Sequence, residues 1–302
     1  MGLFNVYPLY DVTPISAKGV YVYDQNHQEY LDLYGGHAVI SIGHSHPTYV
    51  KAISEQVAKL GFYSNAIQNP LQKQLATKIE LLSDCKDYQL FLCNSGAEAN
   101  ENALKLASFK TGKSRVIAFK NGFHGRTSAA VAATDNATII APINAQQKVT
   151  TLELNDIQGV ERELKKGDVC AVLIEFIQGV GGLDQATAEF FEQVNVLCKA
   201  NNTFFIADEV QSGYGRSGKF FAFQHYNVTP DIISIAKGMG NGFPIGGILI
   251  HPSIEAKFGM LGTTFGGNHL ACVASLSVLN VIEKEALIDN VKEMSEYSIK
   301  IA

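Results

Sequence analysis

The sequence predicts an α/β fold in which helices cover both faces of a mainly parallel β-sheet. Six short runs rich in Val, Ile, Leu and Phe have the continuous apolar character of strands that are buried on both faces. Amphipathic stretches separate several of these runs, as βαβ units require. The 302 residues, of which 46% are hydrophobic and 18% charged, suffice for one large core.

Residues 1–45 are predicted to form an N-terminal arm. The stretch GVYVYDQNHQEYLDLYGG alternates apolar and polar residues on either side of the turn-like DQNHQ, which is typical of a hairpin. The N-terminus lacks the basic and apolar regions of a signal peptide, and no apolar run is long enough to span a membrane. Five scattered cysteines without a CxxC pair indicate reduced core residues, so we expect a cytoplasmic protein.

Residues 46–285 are predicted to form the main domain. Two helices are expected first, PTYVKAISEQVAKL and PLQKQLATKIELL, each with a proline suited to a first helical turn. The expected strands are YQLFLC, SRVIAFK, CAVLIEFI, NTFFIADEV, DIISIAK and GGILI, and two of the helices between them are AEANENALKLASFK and TAEFFEQVNVLCKA.

The last residues are again helical in pattern, in ACVASLSVLNVIEKEALIDN and VKEMSEYSIKIA. Residues 286–302 are expected to begin a small C-terminal domain. Because no further residues follow to cover the apolar face of the last helix, the pattern predicts a truncated chain whose partner element is absent.

The charge distribution argues against nucleic acid as a partner. Twenty-four Lys and Arg residues stand against 29 Asp and Glu residues, a net charge of -5 that is evenly spread. A protein that reads a phosphate backbone needs a basic face instead.

In open α/β sheets ligands bind beyond the carboxyl ends of the strands, so the residues that follow each apolar run are candidates for chemistry. NSGAEANENALKL opens a helix whose free N–H groups favour phosphate. NGFHGRTSAA places Phe123, His124 and Arg126 on one loop, where an aromatic face and a guanidinium fork could bind a flat ring and a carboxylate. Each feature alone is equally typical of an ordinary turn, a packed ring or a surface arginine.

Two further strand ends carry Asp208 and Lys237. A carboxylate in an apolar frame needs a cationic partner, and a partly buried lysine becomes a nucleophilic amine. A helix cap and a solvated surface lysine are the structural alternatives. Together the four strand ends match pyridoxal phosphate, whose aldehyde condenses with a lysine as a Schiff base and whose ring nitrogen needs an acid. The glycines after Lys237 would let the backbone run close beside the cofactor.

Five ordered motifs resemble the class III aminotransferases, in particular the acetylornithine or succinylornithine aminotransferases: NSGAEANENALKLA, FHGRTSAA, ADEVQSGYGRSGKFFA, AKGMGNGFPIGG and GTTFGGNHLAC. The resemblance implies a fold type I pyridoxal phosphate-dependent transferase. It implies that Lys237 and Asp208 are catalytic, as the cofactor lysine and the acid on the ring nitrogen. The other residues that it implies for the cofactor are Gly96, Ala97, Phe123, Glu209, Val210, Gln211 and Thr264.

The resemblance also implies a reaction. Arg126 and Thr263 would bind the substrate, with Arg126 on its α-carboxylate, and Thr264 would reach the phosphate of a neighbouring subunit in an obligate homodimer with shared sites. The terminal amine of N-acetylornithine would pass to the cofactor and then to 2-oxoglutarate, by ping-pong chemistry. No metal is implied.

Three positions depart from the family pattern. Family members usually read E-P-I-Q-G-E-G-G where this chain reads EFIQGVGG, with Phe176 for proline and Val180 for the second acid. His37 stands where an apolar residue is usual, as packing or a contact at the rim of the site. Family chains also continue further, into a small domain with a second carboxylate-binding arginine, so the chain could also be a catalytically impaired fragment.

The sequence is compatible with several activities besides this one. Succinylornithine, ornithine and γ-aminobutyrate aminotransferases would share the cofactor residues, and an aminomutase or racemase would need no oxo-acid. A metal-binding protein would use His37, His44 and His46, although the HSH spacing before a proline is more typical of a turn that leads into a helix.

Overall fold

The computed structural model describes residues 1–301, and its central feature is a seven-stranded sheet that confirms the predicted α/β class. From one edge to the other its strands are β4 (Gln89–Cys93), β10 (Gly246–Ile250), β9 (Ile232–Ile235), β8 (Phe204–Asp208), β7 (Val169–Ile174), β5 (Arg115–Phe119) and β6 (Val149–Leu152). Alternate residues of β7 face two different apolar cores, Val172 one and Leu173 the other. Both faces of the sheet are therefore covered, as the continuous apolar runs predicted.

Strand β10 is the one strand of this sheet that runs against its neighbours, pairing antiparallel with β4 and β9. The apolar run GGILI carried no indication of direction. The connection from β9 to β10 contains only a 3-10 turn, Lys237–Met239, and no α-helix. Because a parallel return needs a longer crossover, the chain can only reverse here.

Strand β6 was not predicted. Its sequence VTTL lies at the edge of the sheet, and only Leu152 is buried. An edge strand does not need the continuous apolar run that marks the inner strands. The sequence pattern therefore missed it, together with the short helix that follows it.

The described part of the chain contains nine α-helical segments: α1 (Gly35–Ala38), α2 (Pro47–Lys59), α3 (Pro70–Ser83), α4 (Gly96–Thr111), α5 (Ser128–Ala133), α6 (Ile157–Leu164), α7 (Ala188–Ala200), α8 (His269–Lys284) and α9 (Leu287–Ile301). The first, α1, is a single turn with left-handed backbone. Helices α2 and α3 begin at the predicted prolines, and the side chains of His46 and Asn69 cap them by accepting N–H bonds.

The two C-terminal helices are separated at residues 285–286, and not after residue 290, where the first of the two helical sequence stretches ends. The helical pattern over 271–290 is broken between α8 and α9, where Ala286 has a φ of 48°. This left-handed residue turns α9 so that Ile288 meets Gly215, close enough that a Cβ on the glycine would lie 2.9 Å from it. The proposed division of the chain at 45/46 and 285/286 stays a prediction, and residue 302 lies outside the described residues.

The predicted N-terminal hairpin is present as β2 (Tyr21–Asp24) and β3 (Glu29–Leu31), which pair antiparallel around the expected turn. A further strand, β1 (Pro14–Lys18), pairs with β2 and completes a separate three-stranded sheet.

None of the helices in residues 1–301 is long and apolar enough to cross a membrane.

All five cysteines are buried and unpaired, as predicted for reduced core residues. Burial raises the pKa of Cys85 and Cys170 to about 11 and that of Cys93 and Cys272 to about 12. Burial also raises the pKa of Cys198 well above its usual value. The thiolate form of each cysteine is therefore suppressed at neutral pH.

A buried arginine joins three elements near the amino ends of β5 and β7. Arg115 of β5 donates to both carboxylate oxygens of Asp168, before β7, and to Glu163 of α6 at 2.7 Å. We expect Arg115→Met to lower the free energy of unfolding by about 3 kcal/mol, because it removes the buried partner of Glu163 and leaves that acid only the more exposed Lys166 and Arg162. Urea unfolding measures this. Lys165→Ala, which removes an exposed pair with Glu161, should change it by less than about 0.5 kcal/mol, and an equal loss in both variants would contradict the role of Arg115.

Candidate active site

The carboxyl ends of β4, β5, β7, β8 and β9 surround one cavity of about 360 Å³. This volume lies in the range of small-molecule sites. Of the residues singled out in the sequence, those that line it are Gly96, Ala97, Phe123, His124, Arg126, Val180, Asp208, Val210, Gln211 and Lys237. The four strand ends selected from the sequence therefore meet at one place.

The end of β4 and the start of α4 present free backbone N–H groups at the cavity. Ser95 caps the helix through a bond from the Glu98 N–H to its Oγ at 3.2 Å. Within residues 1–301, the N–H groups of Gly96 and Ala97 donate to no protein oxygen, and both residues line the cavity. A Cβ on Gly96 would lie 2.5 Å from Val210, so this approach requires glycine. Free N–H groups at a helix start favour a phosphate.

Asp208, at the end of β8, is 3% exposed, and both of its carboxylate oxygens accept hydrogen bonds. Its Oδ2 accepts hydrogen bonds from His124 Nδ1 and Asn100 Nδ2, both at 2.7 Å, and its Oδ1 accepts the Val210 N–H at 3.1 Å. Burial is the largest single effect on His124 and disfavours its charged ring, but the hydrogen bond to Asp208 and the charges of Asp208 and Glu175 together outweigh burial and raise the pKa of His124. The acid is thus kept in a polar pocket of the core, beside the cavity.

Lys237 follows β9 in a strained turn, with a φ of 46°. Burial lowers the pKa of Lys237, an effect that the charges of Asp208 and Glu175 partly oppose. The Gln211 amide, oriented to satisfy both of its neighbours, places its oxygen 3.0 Å from Lys237 Nζ. A half-buried amine of lowered pKa is a nucleophile.

The loop after β5 carries Phe123 and Arg126. The N–H of Phe123 donates to Glu175 Oε1 at 2.9 Å, so this buried acid fixes the loop. Burial raises the pKa of Glu175. Arg126 is exposed at the wall of the cavity and has no carboxylate within 4.0 Å among residues 1–301. It is therefore available to an anionic ligand.

Three of the predicted site residues do not enter this cavity. Glu209 points into the core, where its carboxylate accepts the Ser212 hydroxyl and the N–H groups of Ala222 and Phe223. Thr263 lies beside the edge strand β4, where its Oγ1 accepts the Gly266 N–H at 3.1 Å. Thr264 is exposed on the same loop. The predicted reach of Thr264 into a second subunit stays a prediction.

The departures from the family pattern have separate environments. Phe176 is fully buried and packs on Phe191 and Tyr226, so the aromatic replacement fills the core. Val180 is 64% exposed and lines the cavity. His37 lies outside the cavity, and its Nδ1 meets the Tyr34 hydroxyl.

The three histidines that could have formed a metal site do not converge. His44 pairs with Asp32 at 2.7 Å and His46 with Glu285 at 2.9 Å, whereas His37 meets Tyr34. In the part of the chain that the structure describes, no group of three or more His, Cys, Asp or Glu side chains could hold a metal ion.

Sequence reasoning assigned no role to Asn100, His124 or Glu175, which hold the predicted residues in place. One signal was available for Asn100. It lies between Ala99 and Ala103 on the buried face of α4, where a polar residue is unusual.

The geometry is compatible with a ligand that carries a phosphate, an aldehyde and a basic ring nitrogen. The free N–H groups at Gly96 and Ala97, the buried carboxylate of Asp208 and the amine of Lys237 match the phosphate, the ring nitrogen and the aldehyde of pyridoxal phosphate. The residue chemistry of this structure therefore fits a pyridoxal phosphate enzyme.

Comparisons with known proteins agree. Residues 6–300 match the family model of class-III aminotransferases. The acetylornithine aminotransferase of Bacillus subtilis is 41% identical over 93% of this chain and 73% of its own. An ornithine aminotransferase structure from Toxoplasma gondii, with pyridoxal phosphate at partial occupancy, is 30% identical, with a TM-score of 0.87 over 94% of this chain and 69% of that one. The taurine:2-oxoglutarate aminotransferase of Bifidobacterium kashiwanohense, in complex with pyridoxal phosphate and glutamate, is 26% identical, with a TM-score of 0.91 over 99% and 74%.

The chain therefore belongs to the class III aminotransferases. It is a transaminase whose cofactor is pyridoxal 5'-phosphate, and its fold is that of the pyridoxal phosphate aminotransferases.

The burial of Glu209 predicts a pH dependence of stability. Burial raises the pKa of Glu209 from 4.5 to about 7. A raised pKa in the folded state gives stability that is complete below the unfolded value and is lost as pH rises through the folded one. We expect the wild-type free energy of unfolding to fall between pH 4.5 and about 7 relative to that of Glu209→Gln. Urea unfolding of both proteins across this range measures the difference, and parallel pH curves would contradict it.

Proposed function

We propose that the enzyme moves the terminal amino group of N-acetylornithine to 2-oxoglutarate in arginine biosynthesis. The products would be N-acetylglutamate semialdehyde and glutamate. The observation that carries the proposal is that Lys237, Asp208 and Arg126 line the same cavity, and that Arg126 has no carboxylate partner among residues 1–301. The 41% identity with the acetylornithine aminotransferase of Bacillus subtilis supports the choice of amino donor.

In this proposal the chain's own residues hold the cofactor and move protons. Pyridoxal phosphate, when bound, supplies an electron-accepting ring. The N–H groups of Gly96 and Ala97 bind its phosphate, and Asp208 keeps its ring nitrogen protonated. Lys237 Nζ would hold the cofactor through its aldehyde group, and it would be the base that moves the proton at the donor carbon. Phe123 and Val210 contact the ring, and Gln211 binds its hydroxyl.

Arg126 binds the α-carboxylate of the donor, because its guanidinium fork matches a carboxylate and no acid of residues 1–301 competes for it. Thr263 and Thr264 act at a site shared between two subunits, so the working form is a homodimer. We place the enzyme in the cytoplasm.

Substrate profiling of the purified protein tests this function. We expect N-acetylornithine to bleach the yellow cofactor, and 2-oxoglutarate to restore the colour with formation of one glutamate. N-succinylornithine, ornithine and γ-aminobutyrate serve as matched donors. A higher kcat/KM with any of them would replace the proposed donor, and turnover without 2-oxoglutarate would indicate a mutase or racemase instead.

A further inference from the structure

An asparagine in the interior of α4 links three elements of the site. Asn100 is 0% exposed. Its Nδ2 donates to Asp208 Oδ2 at 2.7 Å and to the backbone oxygen of His124 at 2.8 Å. Both protons of one amide nitrogen therefore join α4 to the end of β8 and to the loop after β5.

The oxygen of the Asn100 amide, in contrast, lowers the stability of the fold. Among residues 1–301, Asn100 Oδ1 is buried without a hydrogen-bond partner. Its neighbours on the buried face of α4, Ala99 and Ala103, are apolar and fully buried. A buried acceptor without a partner destabilises a protein, and an apolar residue of similar size would avoid that loss. The two hydrogen bonds that Asn100 donates therefore explain why an asparagine occupies this buried position.

We propose that Asn100 is a positioning residue for the cofactor acid. It holds the Asp208 carboxylate at one angle and keeps the loop of Phe123 and His124 at a fixed distance from that carboxylate. Because His124 also donates to the same Oδ2, the two donors leave one orientation for the acid. Asn100 does not line the cavity, so it acts through Asp208 and not by touching cofactor or substrate.

Titration of the cofactor-free protein with pyridoxal phosphate tests the proposal. We expect Asn100→Leu to weaken cofactor affinity by about tenfold or more, since it removes a hydrogen bond to a charged group. Asn195→Leu is the matched control. Asn195 is 7% exposed on α7, its Oδ1 also lacks a partner in the described residues, and it lies outside the cavity. Its variant should bind the cofactor like the wild type.

A second variant separates positioning from simple packing. Asn100→Asp keeps the shape but donates to Asp208 only while it carries a proton, and repels it once ionised. We expect its cofactor affinity, as a ratio to wild type, to fall as pH rises from about 5 to about 8. Asn100→Leu should show a constant ratio over the same range, because leucine does not titrate.

Equal affinities of the Asn100→Leu and Asn195→Leu proteins would overturn the proposal. A pH-independent ratio for Asn100→Asp would do the same, and this measurement decides alone should the leucine variant not fold. The titration needs no amino donor. A failure of N-acetylornithine as substrate would therefore leave this result unaffected and separate from the proposed function.

Discussion

Replacing Lys237 by alanine is expected to lower kcat by at least about 10³-fold, because no other amine lines the cavity in the described residues. The variant would lose both the group that holds the cofactor and the base that moves the proton. Glutamate formation measures the rate. Mass spectrometry after borohydride reduction provides an independent readout, with cofactor mass retained by the wild type and absent from the variant.

The control is Lys219→Ala, on the exposed part of the loop that follows Gln211. Lys219 lies outside the cavity, so its variant should keep wild-type activity and retain the cofactor mass. If Lys237→Ala kept more than about a tenth of the wild-type rate, Lys237 would not be the group that holds the cofactor.

Asp208→Asn is expected to lower kcat by about 10²-fold to 10³-fold at saturating pyridoxal phosphate. The amide keeps the shape of the acid but not its charge, so the ring nitrogen of the cofactor would lose the group that keeps it protonated. Steady-state kinetics measures this loss, and thermal unfolding shows that the variant is folded.

The matched control is Asp231→Asn. Asp231 is also a partly buried acid, whose carboxylate accepts the Phe205 N–H at 2.8 Å, but it precedes the amino end of β9, whereas the cavity lies at the carboxyl end of that strand. Burial raises the pKa of Asp231, so the neutral amide suits its position. We expect unchanged kcat. Similar losses in both variants would mean that buried charge at any strand end affects activity, and would remove the specific role of Asp208.

The sequence predicted the parts of the fold that depend on local pattern. Continuous apolar runs identified the inner strands, and the proline starts of α2 and α3 were found at the correct residues. The direction of β10 was not readable, because it depends on the length of a connection and not on the strand's own residues. The edge strand β6 lacked the apolar run on which the prediction relied.

Some residues of the candidate site could likewise be predicted from local sequence, and others could not. Lys237 and Asp208 were found because each directly follows an apolar run, and strand ends meet at one edge of the sheet. The partners of Asp208 were not found. His124 and Asn100 are 84 and 108 residues away from it, and their contact depends on how α4 crosses the sheet. Such pairs follow from the packing of whole elements.

The burial of every thiol has a practical consequence for spectroscopy. Alkylating reagents such as maleimides attack the thiolate, which is both inaccessible and disfavoured at all five cysteines. A cysteine introduced at an exposed position such as Lys86, whose side chain is 80% exposed, would therefore take up a fluorophore selectively. The native cysteines would therefore give no background labelling, and they need not be replaced before the new cysteine is introduced.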